Sequence, residues 1–513
     1  MTATASTTPA RAHRPPPSGT RRQSAGATRD VAIVAGPACL AAMLSLFDLS
    51  ARSLGFDEAA SVTIAAQHGH ALGSAIAHDG GNMSGYYVLL HGVTALFGHA
   101  LLAIRLPSVI ATVATVTLVG LLGLRLFDRR VALIAGLLTA VSLPLVFWGQ
   151  SARGYAPMVA LVTASCLAFI AMLDSSRRAQ AAYILSATLA IYCGFVAALV
   201  IPAQLVALLR HRREKARMFV EALLACGLLC LPLIVLAVAR GSGQLFWVPR
   251  PTLHGERQVL DLLTSAGLDP SFRATTTTTI ALILTSALLV ASAVTTALRR
   301  RQLGHTLVLA WLIIPVALAW LESLFGQPIF LPRNLLPVLP AVALLLALGL
   351  ADRRLPPVAT IALAAVLMGL RAVPLLDSYG VSPEDAKAAT AYVLARTQPG
   401  DCIAFYPADA RMPFAYYVRR DALTPRPILP AAPFGSLRPY VEDYATLTRP
   451  SAACPRLWLV SSHEGQPTGP AGSRRNYARY IALRSALSDA YPERQSARFG
   501  SAAVTHVTLF SRP

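Results

Sequence analysis

The sequence predicts an α-helical polytopic membrane protein with a small α/β domain at its carboxyl-terminal end. Hydrophobic residues make up 55% of the chain and charged residues only 14%, whereas about a quarter of the residues of a soluble protein are charged. Apolar runs recur between residues 31 and 370, and short basic clusters separate many of them. After Ser382 the composition becomes that of a soluble domain. The net charge of +20 comes largely from the basic clusters, which membrane topology explains without nucleic-acid binding.

Residues 1–30 are rich in Ala, Thr, Arg and Pro, and we predict a disordered cytoplasmic tail there. A bilayer core needs about 20 apolar residues per helix, or somewhat fewer where neighbouring helices shelter it. By that rule the membrane domain, residues 31–376, contains about eleven transmembrane helices. They cover residues 31–49, 106–126, 131–147, 155–173, 181–193, 195–209, 219–239, 280–298, 307–321, 335–350 and 358–370. Residues 181–209 are either one long helix or two short helices that turn at Cys193-Gly194.

The basic clusters predict the orientation of the chain. If every span crosses and 181–209 is two helices, all of the clusters fall on one side, which the positive-inside rule makes the cytoplasmic side. They are Arg125 with Arg129-Arg130, Arg177-Arg178, residues 210–217, residues 299–301 and Asp352-Arg353-Arg354. The amino terminus is then cytoplasmic, while the loop 56–105 and the domain 377–513 lie outside the plasma membrane.

The segment after Ser382 is predicted to fold as an extracytoplasmic α/β domain. Its pattern indicates a helix over 383–396, strands over 402–406 and 457–460, a helix over 476–490 and a last strand over 503–510. Cys402 and Cys454 could form a disulfide if this domain faces an oxidising compartment.

Three acidic residues stand out in the outer loop 56–105. Asp57 and Glu58 follow the first span closely and are either solvated residues at its end or catalytic carboxylates. A carboxylate at a protein-lined membrane boundary suits general-base chemistry, because partial desolvation raises its pKa. Asp79 is either a second carboxylate of the site or a group that orients a ligand.

Two arginines on the outer side are candidate phosphate ligands. Arg153 lies at the outer end of the third span, where an arginine is costly unless it is paired. It either pairs with a loop carboxylate or binds a phosphate, which its planar guanidinium fits well. Arg333 opens the tenth span from outside, where the positive-inside rule does not account for it.

His78 and His91 flank the outer loop, but their spacing matches no standard metal site. We predict no metal-binding residues and no required cofactor, and a divalent cation is left open.

A series of short motifs gives the chain a resemblance to a known family. In order, the motifs are Phe56-Asp57-Glu58-Ala59, Asp79-Gly80-Gly81-Asn82-Met83, Tyr86-Tyr87-Val88-Leu89-Leu90-His91, Arg105-Leu106-Pro107-Ser108, Gln150-Ser151-Ala152-Arg153-Gly154-Tyr155 and Trp247-Val248-Pro249. Together they resemble glycosyltransferase family 39, in the bacterial branch related to the Rgt and aminoarabinose transferases of the GT-C superfamily. The resemblance covers roughly residues 41–350.

The resemblance implies a GT-C type enzyme that transfers a sugar, with inversion, from a polyprenyl-phosphate donor to an acceptor at the outer face. Asp57 matches the family's acidic first-loop residue, the expected base, and Glu58 its companion. The expected donor and phosphate contacts include Asp79, Arg153 and Arg333. The other expected substrate-binding residues are Asn82, Tyr86, Tyr87, Gln150, Tyr155 and Trp247. The acceptor is a lipid, a glycan or a protein.

One position departs from the family, because many relatives have Glu where this chain has Ser151. Two other functions stay open beside the transferase, and Ser151 favours only the second of them. A transporter or flippase of a lipid-linked sugar would need charged residues within the spans and paired broken helices, and the spans carry almost no charge. An inactive scaffold that binds the cell wall is the other alternative, and Asp57 and Glu58 argue against it.

Overall fold

The computed structural model describes residues 20–241, 245, 247–268, 271–352, 355–418, 422–428 and 454–512, with side chains from residue 28 onward. Arg353 and Arg354 of the last predicted basic cluster lie outside the described residues, as do residues 1–19 of the predicted tail. Helix α1 (Thr20–Leu46) begins inside the segment predicted to be disordered. Ala, Arg and Gln favour helix, and a helix nucleated by an apolar span extends readily into them.

The remaining helices up to residue 378 form the membrane part. They are α2 (Phe56–Ala65), α3 (Gly69–His78), α4 (Ser84–Phe97), α5 (Leu101–Leu126), α6 (Arg129–Ala140), α7 (Leu143–Gly149), α8 (Tyr155–Met172), α9 (Arg177–Cys193), α10 (Ile201–His211), α11 (Ala216–Leu229), α12 (Leu231–Arg240), α13 (Leu253–Thr264), α14 (Thr276–Arg300), α15 (Leu303–Phe325), α16 (Leu339–Leu350) and α17 (Pro357–Ser378). Short 3₁₀ segments at Phe195–Val200 and Pro332–Val338 precede α10 and α16, and a hairpin of β1 (Gly267–Leu268) and β2 (Phe272–Arg273) follows α13.

Among the described residues, seven helices are long and apolar enough to cross a membrane, and up to nine spans result if each of two bent helix pairs counts as one. The pairs are α6 with α7, bent by 58°, and α11 with α12, bent by 52°. The remaining two of the eleven predicted spans coincide with α9 and with the apolar segment Phe195–His211, which are shorter. The prediction of a polytopic helical membrane protein is therefore confirmed, although the count of eleven is not.

The chain breaks between the two short helices at Gly194. Helix α9 ends at Cys193, and Gly194 has an extended backbone with φ of 174°. A Cβ atom at Gly194 would lie 2.6 Å from the Met158 sulfur, so α8 packs closely against this break. Of the two interpretations of residues 181–209, the structure shows two helices.

Helix α16 lies at the centre of the membrane part. Its sequence is apolar on every face, which is typical of a helix surrounded by others, and it packs on α6, α14 and α15. In the window Pro332–Leu350, 83% of the residues are buried, compared with 17% in α1 and 22% in α17. Apolar side chains on these peripheral helices, such as Val31 and Ile361, are exposed and suit contact with lipid.

A buried arginine holds the break between α6 and α7. Arg371 of α17 is 2% exposed and donates from Nη1 to the Leu138 carbonyl at 3.1 Å, in the last turn of α6. The carbonyls at a helix end lack intrahelical partners and carry partial negative charge, so a cation stabilises them.

Beyond the last span the chain forms an α/β domain, which we call the outer domain after its predicted location (residues 382–512, as described). Its five-stranded sheet has the order β4-β3-β5-β7-β6, in which β3 is parallel to β4 and β5, and β7 is antiparallel to β5 and β6. The elements are α18 (Ala386–Leu394), β3 (Cys402–Tyr406), α19 (Arg411–Tyr417), β4 (Arg426–Pro427), β5 (Arg456–Ser461), α20 (Ala471–Ala490), β6 (Glu493–Phe499) and β7 (Thr505–Ser511).

Alternation of side chains along β3 gives the sheet two covered faces. Ile403 and Phe405 pack with α18 and α19, whereas Ala404 and Tyr406 pack with α20 on the other face. The predicted helices and strands of this domain are present, and α19, β4 and β6 were not predicted. Strand β6 is polar and lies at the sheet edge, where charged residues are common. The domain boundaries at residues 30 and 377 remain predictions.

Cys402 and Cys454 form a disulfide, with their Cα atoms 5.6 Å apart, as the sequence allowed. The bond closes a segment of 52 residues, and a loop of that size stabilises a fold mainly by restricting its unfolded chain. We expect replacement of both cysteines by serine to destabilise the outer domain by about 2–5 kcal/mol. Limited proteolysis should then cleave this domain faster than in Cys39→Ser, a control in α1. Equal cleavage rates would contradict the prediction.

Candidate active site

The carboxylate of Asp57 lies between two arginines from distant parts of the chain. Asp57 is in the first turn of α2, and its Oδ2 accepts a hydrogen bond from Nη1 of Arg333 at 2.8 Å. Nη2 of Arg153 lies 3.9 Å from the same oxygen. The Asp57 side chain remains 39% exposed, so the cluster is open to a ligand.

The surroundings of Asp57 lower its pKa. Burial alone raises the pKa of this carboxyl group, as the sequence argument assumed, but the charges of Arg153, Arg333 and His463 outweigh burial and bring the pKa to about 2. The expectation of a raised pKa is therefore wrong for the protein without substrate, because the two arginines supply more stabilisation than desolvation removes.

Arg153 is held in the loop between α7 and α8. Its Nη1 donates to the Asp57 carbonyl at 3.2 Å and to the Ser61 hydroxyl at 3.1 Å. Its Nε is buried and has no hydrogen-bond partner among the described residues. The next residue is Gly154, where a Cβ atom would lie 2.7 Å from the Cys193 carbonyl oxygen. This close contact lets the loop pass between α4 and the end of α9.

Arg333 comes from the 3₁₀ segment before α16. Its guanidinium carbon lies 5.0 Å from the centre of the Trp247 ring, a cation–π distance. The side chain of Arg333 is 27% exposed and Trp247 is 40% exposed. These two predicted residues therefore lie together beside Asp57 and remain accessible.

Glu58 points away from this cluster into a buried ion pair. Its carboxylate accepts two hydrogen bonds from Arg105, at 2.9 and 2.8 Å, and one from the Ala152 amide at 2.7 Å. The Gly55 amide also lies 3.3 Å from Oε2. Burial raises the pKa of Glu58, but Arg105 outweighs it, so the net shift is downward. Glu58 thus joins the first turn of α2 to α5 and to the loop that carries Arg153.

Arg105 also holds the chain that leads into α2. It is fully buried, and its guanidinium donates to the carbonyls of Leu49, Arg52 and Ser53 at 2.7, 3.0 and 3.2 Å. The sequence motif included Arg105 but suggested no role for it. The available signal was its charge beside an apolar run, since such a residue requires a partner.

Tyr87 and Asp79 form a second polar group near the arginines. The Tyr87 hydroxyl donates to Oδ2 of Asp79 at 2.8 Å. Burial raises the pKa of Tyr87, as does Asp79, although Arg153 opposes the shift, so the hydroxyl remains a donor. Asn82 is half-buried in the turn between Asp79 and α4.

Three other predicted contact residues lie in the scaffold behind the cluster. Tyr86 is fully buried. Gln150 is 5% exposed and donates to the carbonyls of Ser45 and Phe47 at the end of α1. Tyr155 is 4% exposed and stacks edge-on against Trp148, with ring centres 4.5 Å apart. In this conformation they shape the site and offer a ligand almost no surface.

Ser151, which stands where many relatives have Glu, is also buried. Its hydroxyl donates to the Phe147 carbonyl at 3.0 Å and lies 3.4 Å from Nη2 of Arg52. Arg52 donates to the carbonyls of Phe147 and Gln150 and stacks on the Phe147 ring. Ser151 therefore belongs to the support of the loop and makes no contact with Asp57 among the described hydrogen bonds.

The outer domain reaches the site, which the sequence did not predict. The Leu54 amide donates to the Tyr417 hydroxyl at 2.7 Å, and the Phe56 amide donates to Oε2 of Glu384. His463 packs its ring on Phe56, with centres 4.8 Å apart. No local sequence pattern announces such contacts, since about 330 to 410 residues separate the partners.

Within the part of the chain that the structure describes, no three His, Cys, Asp or Glu side chains are grouped so that they could hold a metal ion. His91 donates from Nδ1 to the Ala65 carbonyl at 2.7 Å, and its ring packs edge-on against His68. The question of a divalent cation stays open.

The architecture and site place the chain in a structural class. It combines a helical membrane bundle, a carboxylate between two arginines and a carboxyl-terminal α/β domain. The solved structures described below share this architecture, so the predicted resemblance is confirmed for the fold. A family model described as dolichyl-phosphate-mannose-protein mannosyltransferase matches residues 85–239. A comparison with curated protein sequences finds no match.

Solved structures share this fold over most of the chain. The crystal structure of ArnT from Cupriavidus metallidurans in the apo state is 14% identical, covers 95% of this chain and 98% of its own, and has a TM-score of 0.57. The same protein bound to undecaprenyl phosphate is 14% identical, with 93% and 98% coverage and a TM-score of 0.53. The archaeal oligosaccharyltransferase AglB from Archaeoglobus fulgidus, in complex with an inhibitory peptide and a dolichol-phosphate, is 12% identical, with 95% and 74% coverage and a TM-score of 0.52.

Proposed function

We propose that this protein is a glycosyltransferase that moves a sugar from a polyprenyl-phosphate donor to an acceptor at the outer face of the plasma membrane, with inversion. The observation that carries the proposal is the half-exposed Asp57 carboxylate, bound by Arg333 and lying near Arg153. The fold supports it, because two proteins of the same fold were solved with undecaprenyl phosphate and with a dolichol-phosphate.

In the proposed reaction the acceptor hydroxyl attacks the anomeric carbon from the face opposite the phosphate. The new carbon–oxygen bond forms while the bond to the phosphate oxygen breaks, and its electron pair leaves with the polyprenyl phosphate. Asp57 takes the proton of the hydroxyl as general base. Arg153 and Arg333 stabilise the charge that develops on the leaving phosphate, an effect that is stronger away from bulk water.

The two arginines link donor binding to the strength of the base. Without a ligand they hold the pKa of Asp57 near 2, which makes it a weak base. A phosphate that binds Arg153 and Arg333 brings negative charge beside Asp57 and weakens its ion pairs, so the pKa of Asp57 rises. The buried and unpartnered Nε of Arg153 offers one further donor. Asp57 would thus become an effective base only when the donor is in place.

The remaining predicted residues receive roles from their positions. Trp247 offers an exposed aromatic face beside Arg333 for the donor, and Asp79 and Tyr87 form a polar pair near Arg153. Asn82, in the turn between Asp79 and α4, stays a proposed donor contact. We assign Glu58 a positioning role in place of the catalytic role suggested by the sequence, because Arg105 and the Ala152 amide occupy its carboxylate. Tyr86, Gln150 and Tyr155 support the site from behind.

Sugar transfer by membranes that contain the protein tests this proposal. A panel of labelled polyprenyl-phosphate sugars is supplied, and label is followed into lipid, glycan and protein fractions, which also identifies the acceptor. We expect one donor to give transfer that depends on the protein and releases polyprenyl phosphate. Complete lack of transfer and of donor binding, in protein that is correctly folded, would refute the proposal.

We expect Arg333→Gln to weaken donor binding by about 10-fold to 100-fold, the range expected for the loss of a charge-assisted hydrogen bond. The effect should appear in the KM for the donor and in the affinity for polyprenyl phosphate. Arg333→Lys should recover only part of it, because lysine keeps the charge but loses the planar fork.

Arg250→Gln is the matched control for Arg333. Arg250 is also an exposed outer arginine, and it donates to the Leu324 carbonyl. Its replacement should leave the KM for the donor within about twofold of wild type. If both arginine variants weaken binding equally, the phosphate is attracted by general positive charge and not held by Arg333.

A further inference from the structure

A loop of the outer domain brings His463 against the start of helix α2. The loop follows β5, and His463 has a positive φ of 57°, a backbone conformation that is uncommon for residues other than glycine. Its Nε2 lies 3.4 Å from Oε1 of Glu384, and its ring packs on Phe56 with centres 4.8 Å apart. The His463 side chain remains 40% exposed.

Glu384 connects His463 to the base. Its second oxygen accepts a hydrogen bond from the amide of Phe56, the first residue of α2, and Asp57 is the next residue. A carboxylate at a helix amino terminus satisfies a free amide and complements the helix dipole. Because the Glu384 carboxylate contacts both His463 and Phe56, the outer domain holds the helical turn that carries Asp57.

The groups that face His463 favour its protonated form. Burial lowers the pKa of His463, but contact with Glu384 and the charges of Glu384, Asp57 and Glu464 outweigh burial, so the net shift is upward. Glu464 itself lies 2.9 Å from His506. Below its pKa His463 is therefore a cation beside two carboxylates of the site, and it loses this charge as the pH rises through that pKa.

We propose that His463 is a positioning residue for sugar transfer: in its protonated form it fixes Glu384, and through Glu384 the first turn of α2, so that the Asp57 carboxylate faces the acceptor. This inference rests on the proposed function. It assigns the outer domain a part in the reaction, since His463 and Glu384 come from that domain while Arg153 and Arg333 come from the membrane part.

The test measures kcat, the KM for the donor and the pH profile of transfer for wild type, His463→Gln and His463→Lys. Wild-type kcat should fall as the pH rises through the raised pKa of His463, because the protonated form is the effective one. His463→Gln should lower kcat about 10-fold to 100-fold, the size expected when a reacting group is misplaced, and should remove that fall. The KM for the donor should stay within about twofold, since the phosphate site is intact.

His463→Lys keeps a cation near Glu384 over a wider pH range. It should restore most of kcat and move the alkaline fall to higher pH, which a purely steric role of His463 would not produce. His211→Gln is the control, because His211 bonds the Thr306 hydroxyl and has no described contact with α2, Glu384 or Glu464. Its pH profile should match that of wild type.

Two results would overturn the inference alone while leaving the proposed function intact. One is an active wild type whose kcat and pH profile are shared by His463→Gln. The other is a loss of kcat in His463→Gln that lysine does not restore and that leaves the alkaline fall in place. If wild type transfers no sugar from any donor, the proposed function fails and this inference fails with it.

Discussion

Asp57→Asn is expected to slow sugar transfer by about 1,000-fold while the protein still binds polyprenyl phosphate. Asparagine has nearly the same shape as aspartate and can still accept a hydrogen bond from Arg333, but it cannot take the proton of the acceptor. Loss of a general base costs about 100-fold to 10,000-fold in rate. We therefore expect kcat to fall by about 1,000-fold, measured as release of polyprenyl phosphate.

The affinity for polyprenyl phosphate tests the role of Asp57 more specifically than the transfer rate alone. Asp57 pairs with Arg153 and Arg333 in the unliganded protein, so under the proposed function the donor phosphate must compete with this carboxylate for the two arginines. Asparagine removes that competing charge, so the affinity of Asp57→Asn for polyprenyl phosphate should equal or exceed that of wild type. Asp377→Asn, at an exposed carboxylate near the end of α17, is the control and should change neither quantity.

Loss of both binding and transfer in Asp57→Asn would contradict the proposed role. Asp57 would then serve mainly to hold the two arginines in place, and the base would have to be sought elsewhere in the site. Retained transfer would exclude Asp57 as the base outright.

Arg105→Met is expected to destabilise the protein by about 3–5 kcal/mol, because removal of one partner leaves the other charge of a buried ion pair uncompensated. Glu58 would lose both hydrogen bonds from Arg105, and the carbonyls of Leu49, Arg52 and Ser53 would lose their donor. The start of α2 should loosen, so transfer should fall together with stability. Thermal unfolding in detergent, monitored as loss of polyprenyl phosphate binding, measures the loss of stability. The sugar-transfer assay measures the loss of activity.

The control for Arg105 is an exposed ion pair on the surface of α11. Arg217 and Glu221 are four residues apart and 3.1 Å from each other, and the Arg217 side chain is 92% exposed. Such surface pairs contribute about 0–1 kcal/mol, so Arg217→Met should leave the unfolding temperature nearly unchanged. Equal effects of the two substitutions would show that the Glu58–Arg105 pair does not organise the loop.

The sequence predicted the parts of this structure that local patterns determine. Apolar length predicted the helices, and Gly194 marks the break after α9, where the chain packs closely against Met158. Short runs of apolar and β-branched residues predicted β3, β5 and β7 of the outer domain. The sequence predicts a disulfide between Cys402 and Cys454 only if the domain faces an oxidising compartment, and the structure shows the bond.

The candidate site was predicted in part. Asp57, Arg153 and Arg333 stood out because charges on the outer side of apolar helices need an explanation, and the structure brings all three together. The motif also contained residues such as Tyr86 and Gln150, whose side chains are buried in the scaffold. A motif does not distinguish packing from substrate contact, since both restrict the residue at a position.

The contacts of Glu384 and His463 with α2 could not be predicted for a different reason. Each joins segments more than 300 residues apart, and polar contacts of this kind depend on how two folded units dock. Neither hydrophobic period nor spacing carries that information. The downward shift of the Asp57 pKa could not be predicted for the same reason. It depends on Arg153 and Arg333, which lie far from Asp57 in the sequence and come together only in the folded protein.

The contacts between the outer domain and the start of α2 also limit how such chains can be recombined. The amides of Ser53, Leu54 and Phe56 donate to side chains of Ser382, Tyr417 and Glu384, respectively. A chimera that exchanges everything after residue 377 for the domain of a relative would therefore replace the side chains that accept hydrogen bonds from these amides. The unit of exchange that keeps these contacts is the domain together with the loop 53–56, so the start of α2 and the domain that holds it are inherited as one block.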